Sequence, residues 1–125
     1  MIVVAGESLV DLLVRPDGRV QAVPGGGPFN VARALARLGA DVAFIGRVST
    51  DRFGTIIHDR LEDDGVDLRW VRRTDEPTLL AVAELDDAGA ATYRFHSAGT
   101  AAVGLVEADI PWGDRGAFQL RHVPR

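Results

Sequence analysis

Cysteine is missing from this chain, which excludes disulfides and thiolate metal sites. Positive charge is not in excess either. With a net charge of −4 the chain offers no basic field to nucleic acid or to an anionic membrane surface. No apolar run approaches the ~20 residues of a membrane-spanning helix. Met1-Ile2-Val3-Val4-Ala5 is apolar but lacks the basic start and the length of a signal peptide, so a cytoplasmic location is the default expectation. The three histidines, His58, His96 and His122, are scattered without ligand-like spacing and read as surface or structural residues. What is present is 125 residues, 46% hydrophobic and 26% charged, the composition of one modest globular domain.

The most informative segment is Gly25-Gly26-Gly27-Pro28-Phe29-Asn30, which opens straight into Val31–Gly39. Glycine has no Cβ, so a ligand can approach backbone closely and φ can be positive. Proline near the start of a helix is pre-set for α geometry and lacks an N–H that would be orphaned there. The helix N-terminus then directs free N–H groups and partial positive charge outward. Asn30 adds donors and acceptors. Such a place suits an anion or a polyhydroxylated molecule. The plain alternative is a glycine-rich connection ahead of an ordinary core helix.

The rest of the chain reads as α/β. Ile2–Ala5 and Val42–Ile45 are short continuous apolar runs of the kind buried on both faces in a parallel sheet. Leu12–Val23 reads as a hairpin turning at Pro16-Asp17-Gly18. Val31, Leu35 and Leu38 make one helical stripe, with Arg33 and Arg37 on the opposing side and Gly39 as the stop. Ser49, Thr50 or Asp51 caps a second helix over about Arg52–Asp64, with Phe53, Ile56, Ile57 and Leu61 inward. Val66–Arg73 reads as another strand. Strands alternating with helices imply parallel pairing through right-handed crossovers. Thr78–Asp86 and Ala91–Ser97 then form a second hairpin, expected to join the first as a small separate sheet, a flap over the site. Gly113–Arg125 is polar and arginine-rich and is expected to be an irregular tail.

Most carboxylates, including Asp63-Asp64, Asp75-Glu76 and Asp86-Asp87, sit at helix ends and turns and read as surface or capping groups. Asp11 differs, because it interrupts an apolar stretch just past the first strand, where open α/β sheets bind ligands. A carboxylate there can accept two hydrogen bonds from vicinal hydroxyls; the alternative is a turn-forming Asp. The glycine run is not a phosphate loop, since no G-K-[ST] follows. Nor is it a dinucleotide fingerprint, because it follows a hairpin and lacks the G-x-G-x-x-G spacing. A neutral, hydroxyl-rich ligand is favoured.

Several spaced residues agree together with one family. Gly6-Glu7-x-x-Val10-Asp11, Gly25-Gly26-Gly27-Pro28-Phe29-Asn30-Val31-Ala32, Gly39 and Phe44-Ile45-Gly46-Arg47-Val48-x-x-Asp51-x-Phe53-Gly54 resemble the N-terminal half of the ribokinase-like (pfkB) carbohydrate kinases. The resemblance runs from Met1 to about Thr100. Arg94–Thr100 also looks like the lid segment of fructokinase and 2-keto-3-deoxygluconate kinase relatives. Ser49 departs from the family's usual glycine, so that turn is expected to differ slightly.

The resemblance implies a partial ribokinase-like fold over residues 1–112: a mostly parallel sheet with flanking helices, and a β-sheet lid from strands at about 12–23 and 78–97. It implies that Asp11, Gly26, Gly27 and Asn30 hold sugar hydroxyls and, more weakly, that Arg94 contacts an acid sugar. It implies ATP as phosphoryl donor with Mg²⁺, and homodimerisation through the lid strands. The family's Gly-Ala-Gly-Asp catalytic segment and its ATP-binding strands do not occur in this sequence, so no catalytic, nucleotide-binding or metal-ligating residue is expected here. The expected chain is therefore the substrate-binding portion of a sugar kinase, truncated and inactive alone; the alternative is a non-catalytic sugar-binding or dimerisation module. Loss of the covering layer is also expected to bare one face of the parallel sheet and leave the chain marginally stable.

Overall fold

The computed structural model describes residues 1–111, together with the backbone of 117–120. Its elements, in chain order, are β1 (Ile2–Ala5), β2 (Leu9–Val14), β3 (Val20–Gly25), α1 (Gly27–Arg37), β4 (Val42–Ser49), α2 (Arg52–Asp63), β5 (Val71–Thr74), β6 (Leu80–Leu85), β7 (Ala91–His96) and β8 (Ala117–Leu120). Two short 3₁₀ turns, Ala101–Gly104 and Glu107–Asp109, follow β7. One sheet is parallel throughout, in the order β5-β4-β1-β8. The other, in the order β3-β2-β6-β7, is the expected flap: two antiparallel hairpins joined by the parallel pair β2 and β6.

The helices form where the apolar periodicity and caps place them. In α2, the Asp51 carboxylate accepts from the Gly54 N–H at 2.7 Å, and Ile57 and Leu61 are buried. In α1, Pro28 sits in the first turn and Phe29 and Ala32 are buried. Two details depart from the expected stripe. Leu38 lies beyond the last helical residue and is 84% exposed. Arg33 is not on a solvated side: its guanidinium lies 5.3 Å from the Phe29 ring centroid and pairs with Asp64, tying α1 to the end of α2. Asp64 is thus a helix–helix partner rather than a solvated end. Strand β5 is shorter than the expected Val66–Arg73, because Asp67 takes the Arg69 N–H (2.9 Å) and Nε (2.7 Å) and turns the chain.

Both faces of β1 and β4, at the centre of the parallel sheet, are covered. On one, Val4, Val42, Phe44 and Val48 pack with Phe29, Ala32, Ile57 and Leu61 of the helices. On the other, Val3, Ala5 and Ile45 pack with Trp70, Leu105 and Ile110. The expected bare face is therefore closed by a strap running from Thr100 to Pro111. The expected irregular tail is corrected in part: Ala117–Leu120 pairs in parallel with β1. Residues 112–116 and 121–125, with His122, lie outside the described residues.

Asp109 anchors the strap. It accepts from Arg47 Nε (2.7 Å) and Nη2 (3.3 Å), from Arg72 Nη1 (3.1 Å) and from the Val106 N–H (3.0 Å). The Arg47 hydrogen bonds, chiefly, hold its carboxyl at about 2 against the upward push of burial, with Val106 and Arg72 assisting. Asp109→Asn is expected to lower the melting temperature by roughly 5 °C at neutral pH. A folded-state pKa below the unfolded one makes this stabilisation complete above about pH 4 and lost as pH falls towards 2. Thermal melts of both proteins between pH 2 and 7 check this; the gap should close on the acid side.

Candidate functional site

The site is built where the flap joins the parallel sheet. Strand register sets it. Leu9 pairs with Gly25 and Asp11 with Val23 across β2 and β3. Cross-strand partners and their diagonal neighbours share a face, so the Asp11 side chain leans towards Gly25. A Cβ built on Gly25 would lie 2.8 Å from Asp11 Oδ2; the carboxylate occupies the space that only glycine leaves open. Gly26 follows with φ +109°, a conformation that L side chains rarely adopt. It lies against the β1–β2 connection, where an added Cβ would be 3.1 Å from the Glu7 carbonyl oxygen.

Gly26 is also the N-cap of α1 and supplies no side-chain cap. The Asn30 N–H is used within the helix, to the Gly26 carbonyl at 2.9 Å. Gly27 and the Asn30 side chain are exposed. The first turn of α1 therefore presents uncapped backbone donors and an amide beside a carboxylate. Asp11 is half-buried, and among the described residues none donates a hydrogen bond to its carboxylate. Burial pushes its carboxyl above the usual range. A half-buried carboxylate without a partner opposes stability and is characteristic of ligand sites.

Asp11 thus lies against Gly25, at the bend from which Gly26, Gly27 and Asn30 open α1. Arg94 does not join them. Asp11 shares its cross-strand row with Ala81 and Phe95, whereas Arg94 aligns with Val82 and Leu12 on the opposite face. There Arg94 Nε pairs with Glu84 Oε1 at 3.3 Å, both side chains exposed. The wall beside Asp11 is apolar: Leu9, Leu79 and Ala81 pack with Ala102. Further along the same face Val23, Tyr93 and Phe95 are exposed, with the two rings stacked at 6.3 Å. Sequence reasoning singled out Arg94 and passed over Phe95, although the alternation of Tyr93 and Phe95 signalled this face.

Two surface hollows lie apart from Asp11. One lies between the flap turns, among Arg15, Asp17, Asp86 and Asp87; the other lies at the base of β7, among Pro77, Thr78, Phe95 and Ser97. The His58 ring nitrogen and the Asp59 and Glu62 carboxylates lie within 4.8 Å of one another on the surface of α2, with His58 half-buried. Among the described residues no helix is long and apolar enough to cross a membrane.

A folded pKa raised above the unfolded one means that ionised Asp11 costs stability at neutral pH. Asp11→Asn is therefore expected to raise the melting temperature slightly at pH 7 and to lose that advantage as pH falls below the carboxylate range. Paired thermal melts at pH 7 and pH 3 check the sign.

Residues 1–123 match the model of the pfkB family carbohydrate kinases. The fructokinase of Salmonella typhimurium is 40% identical over 109 residues, covering 86% of this chain and 36% of that protein. A crystal structure of fructokinase from Xylella fastidiosa superposes with a TM-score of 0.77 at 33% identity, covering 83% of this chain and 36% of the other. A second structure of that fructokinase, with bound ATP, gives a TM-score of 0.77 at 32% identity, covering 83% of this chain and 35% of the other. The chain spans about a third of the length of the relatives it matches.

Proposed function

This chain belongs to the pfkB family of carbohydrate kinases, and from that premise we propose that Asp11 and the triglycine bend bind the hydroxyls of a neutral sugar of the fructose type. One observation carries the reading: a half-buried carboxylate with no partner among the described residues, held against Gly25 beside the uncapped N-terminus of α1. The carboxylate accepts from vicinal hydroxyls, while the first-turn N–H groups and Asn30 donate to sugar oxygens. The apolar wall of Leu9, Leu79 and Ala81 packs against the ring's carbon face. Arg94, on the other side of the flap, stays outside this set, which favours a neutral sugar over an acid sugar.

The family reaction moves the γ-phosphoryl group of ATP onto a sugar hydroxyl, which depends almost entirely on positioning and electrostatic stabilisation. Nothing at the glycine bend favours a nucleotide: no lysine-bearing phosphate loop follows the glycines, and the carboxylate beside them repels phosphate. We assign nucleotide binding and the catalytic base to the two-thirds of the relatives' length that this chain does not span. The chain is thus the substrate-binding portion of a cytoplasmic sugar kinase, without turnover of its own.

Calorimetric titration with fructose, ribose and 2-keto-3-deoxygluconate tests the site. Fructose is expected to bind saturably. Asp11→Ala should weaken it at least tenfold, as expected for loss of a charged acceptor worth about 1.5–3 kcal/mol, and Arg94→Ala should leave it unchanged. A coupled ATP assay should detect no turnover, and sugar phosphate formed by the purified chain would overturn the assignment. A second reading, a dimerisation module, is favoured by exposed Val23, Tyr93 and Phe95 on the Asp11 face of the flap. Sedimentation equilibrium of wild type and Phe95→Ser checks it; a dimer lost on substitution supports it.

A further inference from the structure

The flap's second hairpin enters and leaves the body of the protein through one small knot of hydrogen bonds. Thr78, just before β6, is buried. Its hydroxyl donates to Asp51 Oδ1 at 2.6 Å and its N–H to Asp51 Oδ2 at 2.9 Å. Asp51 is at the same time the N-cap of α2, accepting from Gly54 at 2.7 Å. The Asp51 N–H donates to the Ser49 hydroxyl at 3.0 Å, and Ser49 is buried too. The exit of the hairpin is tied to the same point, because Ala101 N–H donates to the Pro77 carbonyl at 2.9 Å. Beyond the knot, Leu79 accepts from the Val10 N–H at 3.0 Å, one residue from Asp11.

Capping α2 needs only one acceptor. The Asp51 carboxylate meets three donors, two of them on Thr78, which belongs to a different part of the chain. Burial pushes the Asp51 carboxyl up, but the donors on Thr78 and Gly54 outweigh it and hold the group below its usual range. We infer that Thr78 is a positioning residue: through Asp51 it pegs the β6–β7 hairpin to the N-terminus of α2 and so fixes the angle of the flap over Asp11. Because β6 pairs directly with the strand that carries Asp11, movement at the peg is transmitted to the site in one step. The part of this inference that concerns sugar rests on the proposed reading of Asp11; the peg itself does not.

Hydrogen exchange on the full chain tests it. Thr78→Val removes the hydroxyl at nearly constant volume. Asp51→Asn keeps a good N-cap residue but leaves one Thr78 donor facing a donor or the Gly54 N–H uncapped. Both variants are expected to exchange the β6 and β7 amides roughly ten- to hundredfold faster, with β1 and β4 unchanged. Thr78→Ser should restore protection. Unchanged exchange in β6 and β7, or equal acceleration in all strands, would overturn the peg. In the wild-type chain the Thr78 amide should be as protected as the Gly54 amide, and exchange at an open-chain rate would also overturn it. Fructose titration separates the two readings. If wild type binds fructose, Thr78→Val should weaken it about tenfold. If wild type does not bind, the reading of Asp11 fails while the exchange pattern still decides the peg.

Discussion

The pairing register between β2 and β3 is the constraint on which the site depends. It brings Asp11 diagonally over Gly25, at a distance where no other residue type leaves room for the carboxylate. A slip of one residue turns Asp11 to the far side of the flap, where Arg94 and Glu84 already form a pair. The register is protected from both ends. The turn at Arg15–Arg19 closes the hairpin through backbone bonds and the Asp17 carboxylate, and at the other end the Gly26 backbone lies close against the Glu7 carbonyl, with no room for a side chain.

Charge is distributed with similar economy. Arg33 joins the two helices, Arg47 and Arg72 hold the strap, and Arg94 stays within the flap. Each of these cations has its carboxylate partner. Asp11 is the contrasting group: it is half-buried, unpaired among the described residues, and placed at the positive end of a helix. The same molecule thus shows carboxylates used for structure, Asp51 and Asp109, and one withheld from it.

The fold was legible where a local signal and the global arrangement agree. The buried runs of β1 and β4, the Asp51 cap, and the two glycine-bearing turns each state their structure within a few residues, and Asp11 with the glycine bend could be placed by motif spacing alone. The failures have a common physical origin in long-range contacts. Leu38 fits the helical period, yet the helix ends before it packs. Arg33 looks solvated until Asp64, from the far end of α2, meets it. The strap carries little periodicity, and its role is set by Arg47 and Arg72. Motif position says nothing of strand parity, which puts Phe95 rather than Arg94 in the row of Asp11.

The parallel pairing of β2 with β6 carries a consequence for how the chain assembles. Val10 aligns with Leu80, about seventy positions later. During synthesis the first hairpin emerges early but without its sheet neighbour β6, and a lone two-stranded hairpin is marginal in water. The four-stranded flap can therefore be completed only after β6 and β7 have been made. The face around Asp11 is thus among the last features to acquire its full shape, although Asp11 and the glycine bend are among the first residues to be made.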